Sequence, residues 1–575
     1  MDAPRFAHPG PLLISAIAVL LLVLCAQALP AQAPGASAEE QARQWAAQQM
    51  WQQIVDLVRG LPKPSADLDF YYGTALARLG KVEEARRALL AGSRLSPKDA
   101  RFSVELGGIA FRQRHFVRAA AYLRQGLKLA PHDAYAENFL GTVYFLQGNL
   151  KAALKYWNRD DKPHVVRVVE RPAPDVDPQL LDSALTFSPE STLRLPDLMT
   201  SEARVGALGV FPNYEFNLQI RPDGKFDVIF YNEAQQTWGK KKWLTLALML
   251  RGLPAETVYP EYYNIHHKAI NFTSLYRWDA QKRRITANLS SPFDRAKRNF
   301  NVGLDLRDEN WRIVDSFTGP APLRGALNLR REAVSANFLS IVNGRWQWSA
   351  GGEISHRDFR DVDPGVALTP ELLLKGYQLK QTSSLDAEIW QMPEHRMDLR
   401  GGGAAALGRL WSQPPHSFAK LQAWEKFHWF PEPAGDDYEM QQQIHAGKTF
   451  GDLPFDELFA LGIGGDTNLM MRGHVATRNG RKGSAPLGRN FFLSNWEVDK
   501  NVYHYGPATI KVGPFFDTGT ITDPDPGLGS RKWLWDTGLQ LKARMLGAEV
   551  IVSLGKDLRS GNNAVYVTLT SVSWQ

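Results

Sequence analysis

The chain has 575 residues, with 67 Lys and Arg against 60 Asp and Glu and a net charge of +7. That length fits about two to four domains, and so mild and mixed a charge does not suggest a nucleic-acid binder, which usually concentrates its charge on one face. The 17 Trp, 17 Tyr and 28 Phe are many for a mostly polar chain; a soluble protein allows that count, and a barrel with aromatic girdles predicts it.

The first expected element is a signal peptide over residues 1–28. Arg5 supplies the basic start, Leu12 to Leu24 is an apolar run broken only by Ser15, and Ala26-Gln27-Ala28 offers small residues for cleavage. The run is short for a membrane helix, which favours cleavage over an uncleaved anchor. Cys25 is the only cysteine. Leu24 precedes it where a lipoprotein signal has a small residue, so lipidation is not expected, and a chain cleaved after Ala28 forms no internal disulfide. No later segment approaches about 18 consecutive apolar residues. A membrane protein without a spanning helix must be a closed β-barrel, because only helices and barrels satisfy every backbone group in lipid.

Residues 38–160 carry an internal repeat. Gly73, Gly107 and Gly141 recur at one spacing, Ala85, Ala119 and Ala153 keep it, and so do Pro97 and Pro131. Small residues let two helices pack closely, and the proline ends the second helix. The pattern resembles the tetratricopeptide repeat, which implies an all-α solenoid. A less regular unit around Gln41 to Pro62, with Trp45 and Trp51, is placed as its cap. The resemblance implies that Arg78, Arg101, Arg112, Tyr135 and Asn138 line a concave groove for a protein partner. Ordinary solvated charges on a spacer are the competing reading.

Residues 164–233 predict a compact α+β unit. A β-branched strand begins at His164, a helix follows the cap Asp177 and Pro178, and a second helix closes at Gly209. Two strands then flank the turn Arg221-Pro222-Asp223-Gly224. The order β-α-α-β-β resembles the polypeptide-transport-associated (POTRA) domain. Such a sheet, covered by helices on one face, keeps an open edge to which an extended polypeptide can add. A rigid connector is the alternative.

From 240 to 575, period-2 alternation recurs. Ile285, Ala287 and Leu289 alternate with polar neighbours, as do Leu421 and Ala423, Leu539 and Leu541, and Val565 and Val567. A lipid-facing exterior and a wet lumen produce this pattern, and so does a soluble antiparallel sheet. At roughly 20 residues per strand and connection, the segment predicts an antiparallel transmembrane barrel of about 16 strands.

Two motifs sharpen the barrel reading. Met471-Arg472-Gly473-His474 lies in a long polar stretch between strands, and Phe515-Phe516-Asp517-Thr518-Gly519 closes a later strand. Alternation sets Asp517 and Glu497 on the polar faces of their strands. With the intervening FFLSNWEV, these motifs resemble the BamA/TamA-like outer-membrane assembly and transport superfamily. The resemblance implies a long loop folded inward and locked by Arg472, Gly473, Glu497, Asp517 and Gly519. His474 stands where that family has an aromatic residue. Without the resemblance, the three charges read as unrelated groups on a polar wall.

No nucleotide loop, Gly-x-Ser-x-Gly elbow or cysteine-based metal site is present. Gly401-Gly402-Gly403 lacks phosphate-loop spacing, and His266-His267, read as adjacent strand residues, point to opposite faces. No cofactor, no metal and no enzymatic activity is expected. The expected protein has its barrel in outer-membrane lipid and its N-terminal domains in the periplasm. It helps client polypeptides insert into or cross that membrane. An anchored scaffold whose repeats dock another envelope complex is the alternative, and a simple diffusion pore ranks below both.

Overall fold

The computed structural model describes residues 37–571 apart from 234–241, 434, 465, 467–468, 506–507, 531 and 546–547. The expected signal peptide lies outside the described residues. The chain divides into two compact units, Met1–Val143 and Tyr144–Gln575.

The first unit is helical, with α1 Ala38–Ala47, α2 Trp51–Arg59, α3 Ala66–Arg78, α4 Val82–Leu95, α5 Ala100–Arg112 and α6 Phe116–Leu129; α7 Ala134–Leu146 crosses the division. The repeat spacing has a packing cause. A Cβ on Gly73 would lie 2.5 Å from Cγ of Leu89, and one on Gly107 would lie 2.9 Å from Cγ of Leu123. Only glycine lets α3 approach α4, and α5 approach α6, this closely. A further periodic feature escapes a reading of the small residues. Ser65, Asp99 and Asp133 occupy equivalent positions before α3, α5 and α7, and each side chain accepts a backbone N–H of its first turn. Trp45 and Trp51 of the leading pair pack against the same core as Ile54, Leu76 and Leu89.

The second unit opens with α8 Leu150–Trp157, followed by a four-stranded sheet in the order β2-β1-β4-β3. β1 His164–Arg171 runs parallel to β4 Phe226–Glu233, which pairs antiparallel with β3 Asn213–Ile220; the short β2 Ser191–Thr192 flanks β1. Helices α9 Pro178–Ala184 and α10 Leu195–Ala207 complete the unit. Asp177 caps α9, and Gly209 takes φ +68° after α10. The strands and helices expected over 164–233 are present, with β2 as an addition. Phe230 stacks on Phe216 at 4.9 Å and meets Phe211 edge-on at 5.5 Å.

The remaining sheet is a closed barrel. Its wall holds β5 Thr257–Val258, β6 Glu261–Ile265, β7 Ile270–Arg277, β8 Lys282–Phe293, β9 Arg298–Val314, β10 Leu323–Ile341, β11 Trp346–Asp363, β12 Gly376–Met392, β13 Met397–Trp411, β14 His416–Trp429 and β15 Tyr438–Gly451. After a long loop carrying β16 Phe459–Ala460, β17 Thr477–Arg478, β18 Arg481–Lys482 and β19 Leu487–Gly488, the wall resumes. It continues with β20 Asn490–Tyr505, β21 Ala508–Thr522, β22 Leu534–Met545, β23 Ala548–Asp557 and β24 Asn563–Ser571. β5 and β6 both pair with β7, as pieces of one interrupted strand. With nine strands from β7 to β15 and five from β20 to β24, the wall has fifteen among the described residues, against about sixteen expected. Helix α11 Lys242–Met249 precedes β5, where the sequence reads as the beginning of the strands.

The alternation takes a definite sense. Ile285, Leu289, Val302, Val334, Ile354, Leu385, Leu421, Val498, Leu541 and Val567 are exposed on the outside, while Arg331, Arg357, Gln378, Asp499, Asp517 and Gln540 are buried inside. A sheet folded for water does the opposite, and this inversion is what lipid selects.

Turns at one barrel end hold the small domain. Asn271 donates to the Leu208 carbonyl at 2.8 Å, Asn299 to the Ala207 carbonyl at 2.6 Å, and the Gly344 N–H to the Thr200 hydroxyl at 3.0 Å. Asn149 donates to the Pro393 carbonyl at 2.7 Å, and Lys155 pairs with Glu394 at 2.7 Å. The histidine pair corrects a strand-based expectation. His266 and His267 occupy the β6–β7 turn with φ of 54° and 61°, and His267 pairs with Asp175 at 2.9 Å. They do not sit on opposite faces of a strand, and His267, whose carbonyl also accepts the Asp177 N–H at 2.7 Å, belongs to this docking surface.

Candidate functional site: a loop pinned across the barrel lumen

The loop between β15 and β20 covers residues 452–489 and contacts strands on both sides of the ring. Asp456 lies 2.8 Å from Arg357 of β11 and 3.0 Å from Arg331 of β10. Glu457 lies 2.8 Å from Lys380 of β12 and 3.3 Å from Lys420 of β14. Asp466 pairs with Arg284 of β8 at 2.7 Å and Arg277 of β7 at 3.2 Å. Lys482 reaches Glu309 of β9 at 2.7 Å. The tip then meets β20, β21, β22 and β23. A segment that touches this many strands around one closed sheet runs inside it.

The tip is built around Arg472, a side chain only 3% exposed. Its Nε donates to Oδ2 of Asp517 at 2.9 Å and its Nη2 to Oδ1 at 2.5 Å, the two-pronged geometry of a guanidinium on a carboxylate. Nη1 donates to Glu497 at 2.6 Å and to Gln540 at 2.8 Å. The guanidinium carbon lies 3.9 Å from the centre of the Phe515 ring. Strand register makes this possible, because Asn495 stands opposite Asp517 and Glu497 opposite Phe515 on the paired strands β20 and β21. The Gly473 N–H donates to Asp536 at 2.6 Å, and a Cβ on Gly473 would lie 2.6 Å from that carboxyl carbon. Gly519 sits against the Phe492 carbonyl, 2.6 Å from where its Cβ would stand. Behind the arginine, Leu461, Leu469 and Met471 pack with Phe491, Leu493, Ile521 and Leu534.

Asp456, Glu457 and Asp466 of the loop meet cations on β7, β8, β10, β11, β12 and β14, Lys482 meets an acid on β9, and Arg472 meets acids on β20 and β21. The structure brings Arg472, Glu497 and Asp517 together. The sequence reading did not single out Asp456, Glu457, Asp466, Gln540, Asp536 or Asp557. His474, the departure from the aromatic pattern, stands between Asp536 at 3.0 Å and Asp557 at 3.7 Å.

Arg101 pairs with Asp67 at 2.5 Å and with Asp99 at 2.6 Å and lies over the Phe70 ring, and its side chain stays 46% exposed. Arg112 donates to the Ala77 carbonyl at 2.8 Å, which ties α5 to α3. Arg78 and Tyr135 are exposed, and Asn138 is half-buried. Glu105 was missed; burial pushes its carboxyl above the ordinary range, with Arg78 and Arg112 pulling the other way.

Residues 72–129 and 104–163 match the tetratricopeptide-repeat family. No curated protein matches the chain. Among solved structures, the chain is similar to BamA from Haemophilus ducreyi lacking POTRA domains 1–3, at 9% identity and a TM-score of 0.41 over 71% of this chain and 84% of that one. It is also similar to CdiB from Escherichia coli, at 14% identity and a TM-score of 0.45 over 71% and 75% of the two chains. CdiB from Acinetobacter baumannii gives 11% identity and a TM-score of 0.41 over 80% and 86%.

Proposed function

We propose that this chain is an outer-membrane, polypeptide-handling protein that assists insertion of proteins into the membrane or their passage across it. The observation that carries the reading is the lumen. A barrel whose apolar side faces outward is crossed by its own loop, pinned by Arg472 on one wall and by Asp456, Glu457 and Asp466 on the other. Such a lumen is unsuited to free diffusion of solutes. The small domain at residues 164–233 is of POTRA type and faces the periplasm. Its strand β3 pairs only with β4 among the described residues, which leaves an edge for an extended client. Tetratricopeptide repeats add a surface for a periplasmic protein. No step requires a catalytic residue or cofactor.

The test is depletion of the protein from cells, followed by quantitative proteomics of outer membrane, periplasm and medium. The reading expects a defined set of outer-membrane or secreted polypeptides to leave their normal fraction. An unchanged distribution, with only solute uptake altered, contradicts it.

A further inference from the structure

Beside the Arg472 clamp, three ligating side chains converge. His474 follows Gly473 at the loop tip, Asp536 lies on β22 and Asp557 ends β23. One donor atom from each lies within 4.8 Å of the other two. Nδ1 of His474 is 3.0 Å from Oδ2 of Asp536, and Nε2 is 3.7 Å from Oδ2 of Asp557. Two ligands bound to one ion at about 2.1 Å, at angles between octahedral and tetrahedral, stand roughly 3 to 3.5 Å apart. The His474–Asp536 spacing falls in that range, whereas the 3.7 Å to Asp557 lies outside it and is measured from the other ring nitrogen.

A second observation is independent of this spacing. Asp536 has no solvent exposure; its Oδ2 accepts the Gly473 N–H at 2.6 Å and shares a hydrogen bond with Nδ1 of His474 at 3.0 Å, while its Oδ1 is buried without a hydrogen-bond partner. An unspent carboxylate oxygen in a dry site is costly unless something positive meets it. Asp557 accepts the Arg559 N–H at 2.9 Å and the Ser560 hydroxyl at 2.5 Å, which fixes the direction of its carboxylate. His474 and Asp557 also line a cavity of about 330 Å³, with Arg559 and Ser560 on its wall.

We infer that His474, Asp536 and Asp557 form a site for a divalent transition-metal ion of the zinc type, which ties the loop tip to β22 and β23. One imidazole nitrogen and two carboxylate oxygens suit such an ion. The ion would join the loop to strands that Arg472 does not reach by ion pairs.

The experiment uses the full chain in detergent, without an affinity tag, stripped with EDTA and titrated with ZnCl₂ by calorimetry. Bound zinc is counted by elemental analysis. Wild type should bind one zinc ion per chain, and zinc should raise the temperature at which the barrel unfolds on a gel. Asp557→Asn and His474→Ala, which leave Arg472 and its partners in place, should weaken binding by about tenfold or more. If wild type takes up no zinc, or both variants bind it as wild type does, the site is a hydrogen-bonded histidine and the inference fails. Asp557→Asn lies at a strand end, so its heat-modified migration on a gel separates lost binding from lost folding.

Discussion

Arg472 grips Asp517 through both guanidinium edge nitrogens, at 2.9 and 2.5 Å, and its backbone N–H donates to the same carboxylate at 2.9 Å. Side chain and main chain of one loop residue thus converge on one fully buried acid. Removing Arg472 leaves the buried Asp517 without its counter-charge, at a cost of about 3–5 kcal/mol, and removing Asp517 leaves Arg472 paired with Glu497 alone. Arg472→Ala and Asp517→Ala should each impair function in cells while reducing barrel abundance far less. The double variant should be little worse than either single one. Strictly additive defects would show that the pair does not act as a unit. Arg472→Lys should fail to restore function, because an ammonium cannot span two carboxylate oxygens and reach Glu497 as well.

The opposite wall holds the loop through different residues. Asp456, Glu457 and Asp466 remain paired when Arg472 is lost, so Arg472→Ala alone should leave the lumen obstructed. In planar bilayers its conductance should stay close to wild type. Replacing all three acids by their amides should raise conductance several-fold, because cations on β7, β8, β10, β11, β12 and β14 lose their hold on the loop. Equal conductance in all three proteins would remove the acids from the account.

A closed barrel leaves no wall strand with an unpaired edge, so unfolding in detergent needs the whole ring to open. Unheated and boiled samples should migrate differently on a gel. Recovery of the protein in the soluble periplasmic fraction would contradict the barrel in membrane.

Glu105 gives the repeats a pH-dependent test. Its carboxyl is raised by burial, so the folded array favours the protonated form. That contribution is present at low pH and is lost as pH rises through the folded value. Glu105→Gln should therefore raise the melting temperature of residues 38–160 at pH 7 and change it little under acid conditions. Circular dichroism on the isolated array, which should be helical and soluble, reads both. A lower melting temperature at pH 7 would mean that Arg78 and Arg112 need the charge.

These features differ in how far a sequence reveals them. The repeat is legible because one packing requirement, close approach at Gly73 and Gly107, recurs at a fixed interval. The Arg472 clamp is legible because its parts lie in two short motifs, and strand alternation assigns Asp517 and Glu497 to one side. Asp456, Glu457 and Asp466 read as ordinary loop charges, since their partners are scattered from Arg277 to Lys420 and only barrel closure brings them near. Arg101 looks available because the capping role of Asp99 and the 34-residue reach to Asp67 emerge only from stacked helices. Helix α11 is missed because strand alternation begins only after it.

The central claim is that clients meet the open edge of β3 before they meet the barrel. Asn217 and Gln219 are exposed on that strand. A photo-crosslinking residue at Asn217, activated in living cells, should capture extended outer-membrane or secreted polypeptides as a heterogeneous set, and the same residue on an exposed face of α6 should not. If Asn217 captures nothing, or only one folded envelope protein, the domain is a connector or a dock and the polypeptide-handling reading is wrong.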